Sequence, residues 1–255
     1  MAFTIAMQFP VTISIANSEF PVHGIFEFLA FFLAFRYFLY LRKTNSDAIP
    51  TSKRIWIIIG AIFGSVIGSR LVGGLEDWHQ LQIADNKWLY FYQNKTVLGG
   101  FLGGLAGVEI IKKMIGEKNS SGDLFTFPMI AGLMLGRIGC FSMGIYEETY
   151  GIETQSIFGM NLGDGKLRHP VTLYEMAFLA ILWIGIYLLE KKQTLVSGGR
   201  FKIFMISYLL FRLTLDFIKP SYRWSIGIST MQITAIAGLI YYYKYLIRPS
   251  ILIKR

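Results

Sequence analysis

The chain has 255 residues, of which 53% are hydrophobic and only 16% are charged, and its formal net charge is +9. A typical soluble domain has about 25% charged residues. Long apolar runs recur along this chain, so its composition excludes an ordinary water-soluble domain and predicts a polytopic helical membrane protein. The runs are too long for barrel strands and show no two-residue alternation, which excludes a transmembrane barrel.

The single cysteine, Cys140, and the charge pattern exclude further classes. One cysteine cannot form an intramolecular disulfide, and no basic face with interleaved aromatic residues indicates nucleic-acid binding. The segment before residue 22 has no basic region and no small-residue cleavage site. We therefore expect the first spanning helix, rather than a cleaved signal peptide, to target the chain to the membrane.

Seven apolar runs each have close to the roughly 20 residues that cross about 30 Å of hydrocarbon. In chain order they are residues 22–41, 53–74, 96–115, 124–145, 170–189, 200–218 and 227–247. The third and fourth runs are rich in small residues, which let helices approach closely in a membrane. The predicted fold is all-α: a single membrane domain over residues 1–255 with seven transmembrane helices.

Two connecting segments, residues 75–95 and 146–169, are long and lie on the same predicted side of the membrane. The first is rich in tryptophan and tyrosine, which prefer the headgroup level of a bilayer, so we predict an interfacial arm. The second contains the turn sequence Gly163-Asp164-Gly165. It predicts a small periplasmic head between the fourth and fifth spans.

Basic residues in the connecting segments are distributed unequally between the two sides of the membrane, with 15 on one side and 6 on the other. The smaller set is Lys87, Lys95, Lys166, Arg168, Lys219 and Arg223. Because basic loops remain in the cytoplasm, this asymmetry predicts an N-terminus outside and a C-terminus inside the cell. Most of the net charge is therefore a topology signal.

Three arginines, Arg70, Arg137 and Arg212, lie within or at the ends of predicted spans. A charged side chain inside a bilayer is costly and by default marks a functional site, although an arginine near a span end can also snorkel to the interface. Gly136 and Gly139 flank Arg137 and would let a ligand approach the backbone. Guanidinium binds phosphate bidentately and stays charged when buried. The arginines therefore predict an anionic ligand, most simply a phospholipid headgroup of the outer leaflet.

Intramembrane carboxylates offer a second interpretation of these arginines. Arg212 and Asp216 are four residues apart and share one helix face. They either form an ion pair that lets the span insert, or Asp216 orients Arg212 towards a cavity. Glu27 and Glu175, near the outer ends of their spans, are further candidate partners for an arginine.

Five sequence motifs follow one another through the spans. They are GSRLVG (Gly68–Gly73), LGGFLGG (Leu98–Gly104), GRIGCFSMG (Gly136–Gly144), RHPVTLYE (Arg168–Glu175) and FRLTLDFIKP (Phe211–Pro220). Their order and spacing resemble the prolipoprotein diacylglyceryl transferase family. The resemblance covers most of the chain, including the seven spans, the arm and the head.

The resemblance implies an enzyme of the bacterial cytoplasmic (inner) membrane. Such an enzyme transfers the diacylglyceryl group of phosphatidylglycerol to the lipobox cysteine of a prolipoprotein and releases glycerol 1-phosphate. Its partners would be phosphatidylglycerol, or a related phospholipid, and the prolipoprotein signal peptide. We expect a membrane-embedded monomer that needs no cofactor and no metal.

The resemblance also assigns roles to individual residues. Arg137 and Arg212 match arginines that would hold the lipid phosphate and stabilise the charge that develops on it as it departs. The complete set of lipid-binding candidates is Arg70, Gly99, Gly100, Gly136, Arg137, Gly139, Tyr174 and Arg212.

The chain departs from the family pattern where the catalytic base would be. Leu98 occupies the position of the family's histidine, and Cys140 that of an asparagine. A thiol with an ordinary pKa near 8.5 is mostly protonated at neutral pH, so an activating group is expected. Our candidates for this catalytic base are His23, then His169, then Glu175. For His169 a hydrogen bond between the head and the following helix is the alternative.

Because the family's histidine is absent, two other functions remain open. A paralogue could use the same phospholipid site with a different acceptor, such as another thiol, an amine or a hydroxyl. Alternatively, a non-catalytic protein could bind the lipid through the same arginines without turnover.

Overall fold

The structure is a computed structural model that describes residues 8–15, 18–45 and 47–254. Its strands are β1 (Thr12–Ile15), β2 (Ser18–Pro21), β3 (Met160–Asn161) and β4 (Leu167–Arg168). Its helices are α1 (Val22–Thr44), α2 (Thr51–Gly74), α3 (Trp78–Ile83), α4 (Lys87–Gln93), α5 (Val97–Met114), α6 (Asp123–Met143), α7 (Val171–Lys192), α8 (Gly199–Leu215), α9 (Thr230–Tyr241) and α10 (Tyr243–Ile247). Short 3-10 turns follow α6, α8 and α10.

The long helices coincide with the predicted spans. Six runs correspond to α1, α2, α5, α6, α7 and α8, and the seventh corresponds to α9 followed by α10. Four of these helices, α1, α2, α6 and α7, are long and apolar enough to cross a membrane, and α9 is a shorter apolar helix. The helical membrane class is therefore confirmed with four candidate spans, and the number seven stays a prediction.

The chain divides into two compact units. The first comprises Met1–Thr44, Leu124–Lys192 and Ile218–Pro220, and the second comprises Asn45–Asp123, Gln193–Phe217 and Ser221–Arg255. The first unit thus contains α1, α7 and nearly all of α6, together with the head. The second contains α2, α5, α8, α9 and the arm. The prediction of a single membrane domain is not tested by this division.

Helices α2 and α5 of the second unit touch along their backbones. The three facing pairs are Gly60 with Gly107, Gly64 with Gly103, and Gly68 with Gly99. A Cβ added to Gly64 would lie 2.3 Å from the Gly103 carbonyl oxygen, and one added to Gly68 would lie 2.4 Å from the Gly99 carbonyl oxygen. No side chain fits there, so the glycine spacing itself allows this contact, as predicted for small residues in membrane helices.

A buried ion pair joins the start of α2 to the loop before α6 in the second unit. Arg54 is 1% exposed. Its Nε donates to an Asp47 carboxylate oxygen at 3.0 Å, and its Nη1 donates to the Ser121 carbonyl at 3.0 Å. The charge is tolerated because its donors meet oxygen acceptors. These contacts hold the helix ends on the predicted cytoplasmic side.

In the first unit, the antiparallel strands β1 and β2 precede the start of α1 and lie against the end of α6. The backbone N–H of Val11 donates to the carbonyl of Ser142 at 2.8 Å, which ties the hairpin to the end of α6. Further along α1, the rings of Phe38 and Phe125 stack with centroids 4.2 Å apart. The hairpin and the stacked rings thereby hold α1 against α6 near both of its ends.

The predicted arm and head have regular structure of their own. The arm forms α3 and α4, whose first turns are capped by the side chains of Asp77 and Asn86. The head carries the antiparallel β3–β4 pair. Its backbone is joined to the turn after α8 by a hydrogen bond from Ile152 N–H to the carbonyl of Ile218, at 2.9 Å.

Candidate functional site

The best-defined polar feature of the first unit is a buried ion pair between Arg137 of α6 and Glu175 of α7. The Arg137 Nε lies 2.8 Å from Oε2 of Glu175, and its Nη2 donates to Oε1 at 3.0 Å. Arg137 is 8% exposed and Glu175 is 1% exposed. One aligned hydrogen bond, from Nη2, and a close ion-pair contact of Nε that is not aligned as a hydrogen bond together compensate the burial of both charges. Glu175, predicted as a candidate arginine partner, therefore fixes the plane of the guanidinium.

A thiol and an imidazole adjoin this pair. The Arg137 Nη1 lies 3.6 Å from Sγ of Cys140, one turn further along α6. The Cys140 thiol is also close enough to the imidazole of His23, at the start of α1, to interact with it electrostatically. A further contact of that imidazole is with Glu27, whose Oε2 lies 3.7 Å from Nε2. Cys140 therefore joins the predicted arginine and the first-ranked base candidate.

The two glycines that flank Arg137 have different surroundings. A Cβ added to Gly139 would lie 3.1 Å from the His23 carbonyl oxygen and 3.0 Å from Cβ of Phe26. A Cβ added to Gly136 would have nothing within 4 Å. Packing against α1 thus accounts for Gly139, whereas Gly136 leaves one side of α6 open beside Arg137.

His169 and Tyr174, which precede and begin α7, interact with each other. His169 Nδ1 lies 3.0 Å from the Tyr174 hydroxyl. The His169 backbone also bonds to the head, through its N–H to Ile152 and through its carbonyl from Gly151. His169 thus makes the contact between head and helix that was the alternative to a catalytic role. Its Nδ1 is engaged by the Tyr174 hydroxyl.

In the second unit, Arg212 lies in the last turn of α8 and is 8% exposed. Asp216, one turn later and 1% exposed, accepts hydrogen bonds from two hydroxyl groups. These come from Ser221 to Oδ1, at 3.0 Å, and from Ser229 to Oδ2, at 2.5 Å. The Asp216 carboxylate is therefore hydrogen-bonded to two serines of the segment between α8 and α9. Sequence reasoning did not single out either serine.

Arg70, near the end of α2, is half-buried and contacts the arm. Its Cζ lies 4.9 Å from the centre of the Tyr92 ring in α4. Such a contact uses the face of the guanidinium and leaves its N–H groups in the plane for other acceptors. Tyr92 of the arm therefore contacts a predicted lipid-binding residue, Arg70. The sequence predicted only that this tyrosine lies at the membrane interface.

The paired glycines of α5 and the residue before them have distinct environments. Leu98 is fully buried, and Gly99 packs against Gly68 of α2. A Cβ on Gly100 would meet Ser69 at an ordinary 3.7 Å. Helix packing therefore accounts for Gly99, and the lipid-binding role predicted for both glycines stays a prediction.

The structure thus brings together several of the predicted site residues within the first unit. They are Arg137 with Glu175, and His169 with Tyr174. The second unit contains Arg70, Gly99, Gly100 and Arg212. Sequence reasoning missed Ser229 and Gln232, which form a capping box at the start of α9. The spacing of a serine followed three residues later by glutamine is a signal that could have identified them.

Comparison with known proteins agrees with this arrangement of motifs. A model of the family described as prolipoprotein diacylglyceryl transferase matches residues 10–248. A phosphatidylglycerol–prolipoprotein diacylglyceryl transferase of Campylobacter lari is 30% identical over 77% of this chain and 76% of its own length. The enzyme of the same name from Campylobacter hominis is 27% identical over 91% of this chain and 87% of its own length. The chain therefore belongs to the prolipoprotein diacylglyceryl transferase family.

Proposed function

We propose that this protein transfers the diacylglyceryl group of phosphatidylglycerol to the lipobox cysteine of a prolipoprotein and releases glycerol 1-phosphate. Membership of the family over residues 10–248 supports the reaction. The observation that carries the proposal in the structure is the buried, two-point pair of Arg137 with Glu175. It holds the guanidinium of Arg137 in a fixed orientation beside the open position of Gly136, where its remaining N–H groups can donate to a phosphate.

The reaction would take place in the bacterial cytoplasmic membrane. Four helices long and apolar enough to cross a bilayer support this location, and we propose that all seven predicted spans cross it. The excess of basic residues in alternate connecting segments supports an N-terminus outside and a C-terminus in the cytoplasm. Donor lipid would then come from the outer leaflet, and the enzyme would act as a monomer.

The chemical step exchanges one bond for another at a single carbon. The cysteine sulfur attacks the carbon of the diacylglyceryl group that carries the phosphate ester. A C–S bond forms there, and the bond between that carbon and the phosphate oxygen breaks. The electron pair of that bond leaves with the phosphate as glycerol 1-phosphate, and the thiol proton passes to a base. Arg137 and Arg212 stabilise the charge that collects on the departing phosphate. Glu175 orients Arg137.

His23 is the proposed base. It lies at the start of α1, is partly exposed, and interacts electrostatically with Cys140. Glu27, at 3.7 Å, can stabilise the imidazolium formed when the proton is taken. His169 is the weaker candidate because one of its ring nitrogens is bonded to Tyr174. Glu175 is weaker still, because both of its oxygens lie against Arg137.

The remaining candidates would hold the donor lipid. Arg70 can meet a lipid phosphate with its in-plane N–H groups while its face rests on Tyr92. Gly136 leaves open space in which a lipid can approach the backbone of α6, whereas Gly100 faces Ser69 of α2 and would contribute only through its small size. Tyr174 would contribute through its hydroxyl, which is held by His169.

Mass spectrometry of the purified protein with phosphatidylglycerol and a lipobox peptide tests the function. A peptide that gains one diacylglyceryl group, with release of glycerol 1-phosphate, is the expected result. A cysteine-to-serine peptide is the matched control and should stay unmodified. Bound lipid without any product would instead indicate the non-catalytic alternative, and consumed lipid with an unmodified peptide would indicate a different acceptor.

Labelling of single cysteines tests the proposed orientation. In a Cys140→Ser background, a cysteine introduced at Ser156 in the head should react with an impermeant thiol reagent in intact cells. One introduced at Ser120, before α6, should react only after the cells are opened. The reverse pattern would contradict the orientation and the access of outer-leaflet lipid.

A further inference from the structure

The first turn of α9 contains a buried glutamine that has no assigned role. Gln232 is 1% exposed. Its Oε1 accepts a hydrogen bond from the backbone N–H of Ser229 at 3.0 Å, and its own backbone N–H donates to the Ser229 hydroxyl at 3.0 Å. Its side-chain Nε2 has no hydrogen-bond partner among residues 8–15, 18–45 and 47–254.

The capping box determines which way the Gln232 amide points. Its oxygen is occupied by the Ser229 N–H, so the opposite end of the amide is the NH2 group, which can only donate. A buried donor without an acceptor costs about 1–3 kcal/mol. Such groups are rare in folded proteins and call for a specific acceptor. An oxygen supplied by another molecule would satisfy this donor.

The surroundings of Gln232 indicate what kind of oxygen this is. Ser229 also donates its hydroxyl to Asp216, and the backbone N–H of Asp216 donates to the carbonyl of Arg212. A continuous set of hydrogen bonds thus links Gln232 to the last turn of α8. Both Asp216 oxygens accept from hydroxyl groups, while Arg212 and the more exposed Arg223 contribute positive charge. A negatively charged acceptor fits this segment better than a neutral one.

We propose that Nε2 of Gln232 donates a hydrogen bond to a phosphate oxygen of the donor lipid, in the segment of the second unit that carries Arg212. The assignment rests on the proposed function, because it uses the same lipid. An uncharged donor held by a capping box adds direction to the contact without adding another charge. Gln232 is accordingly a residue that positions the phosphate for departure.

Gln232→Glu separates a ligand-binding role from a structural one. Glutamate keeps the oxygen that accepts from Ser229 and is itself a preferred residue at this position of a capping box. It is also favoured by the dipole at the start of a helix. Burial of the added carboxylate near Asp216 lowers the melting temperature in either case, and a purely structural role predicts unchanged lipid affinity. The proposal predicts the same melting behaviour with weakened binding of lipid phosphate.

The measurement is a lipid titration of the full-length protein in detergent, followed by native mass spectrometry. The Kd for phosphatidylglycerol should rise about tenfold to a hundredfold in Gln232→Glu, as expected for a lost hydrogen bond to a charged group. The binding of phosphatidic acid should weaken equally, since this lipid also carries the phosphate. Diacylglycerol lacks the phosphate, so its Kd for Gln232→Glu should equal its Kd for the wild type. Gln155→Glu, at an exposed position of the head, is the matched control and should change nothing.

Two results would overturn the proposal. An unchanged Kd for phosphatidylglycerol in both Gln232→Glu and Gln232→Met would make the amide structural; the methionine variant removes the donor whatever the ionisation of the introduced carboxyl group. An equal loss of diacylglycerol binding would assign the amide to an ester carbonyl instead of the phosphate. Turnover of the wild type with the lipobox peptide, measured on the same preparation, tests the proposed function separately.

Discussion

Arg137→Lys tests whether a two-point guanidinium, rather than positive charge alone, is needed at the centre of the first unit. Arg137 meets Glu175 through Nε at 2.8 Å and through Nη2 at 3.0 Å. A lysine keeps the charge but can reproduce only one of these directions. Water does not replace the lost contact easily, because Glu175 is 1% exposed.

The magnitude follows from the contact that is lost. One hydrogen bond to a charged group contributes about 1.5–3 kcal/mol. The free energy of unfolding should therefore fall by about 2 kcal/mol. A similar loss of phosphate stabilisation would lower kcat/KM about tenfold to a hundredfold. Both changes should appear together, because the guanidinium that Glu175 orients is also the group whose remaining N–H donors meet the phosphate in the proposed reaction.

The assay compares Arg137→Lys with Arg36→Lys in phosphatidylglycerol micelles, using a lipobox peptide for turnover and thermal unfolding for stability. Arg36 lies on an exposed part of α1 and provides a matched control for the same chemical change. Wild-type kcat/KM and melting temperature in Arg137→Lys would refute the requirement for a fork. An equal effect in Arg36→Lys would show that the loss is not specific to the ion pair.

Three further predictions concern the base, the helix contact and the pH dependence of stability. His23→Gln should lower turnover by about 10²–10⁴ with little change in lipid binding, and wild-type turnover would eliminate His23 as the base. Gly64→Leu should prevent stable folding, since a Cβ there would lie 2.3 Å from a carbonyl oxygen of α5, whereas Gly185→Leu, which has nothing within 4 Å, should fold; melting curves in detergent distinguish them. The Asn119 N–H, and then Lys53, lower the pKa of Glu117 below its usual 4.5. Glu117 thus adds stability above that pKa and loses it as pH falls through the lowered value, so acid should lower the melting temperature of the wild type more than that of Glu117→Gln.

Helix positions were largely predictable from the sequence. Run length and hydropathy are local properties, so all seven runs coincide with helices in the structure. The glycine-rich third run likewise predicted close helix contact, and Gly103 indeed lies against Gly64. The arm and the head could be located because aromatic and turn-forming residues are local signals as well. The local signals did not predict that the arm forms two short helices, α3 and α4, capped by Asp77 and Asn86.

The sequence by itself determined that this is a helical membrane protein of the prolipoprotein diacylglyceryl transferase family with arginines inside apolar runs. Only the tertiary structure decided which partner Arg137 has, because Glu175 lies 38 positions away on another helix. It also decided that Gly139 accommodates α1 and that His169 is bonded to Tyr174. The role of a glycine or a charged group depends on which atoms lie within a few ångströms. That is set by how helices pack, which no local pattern encodes.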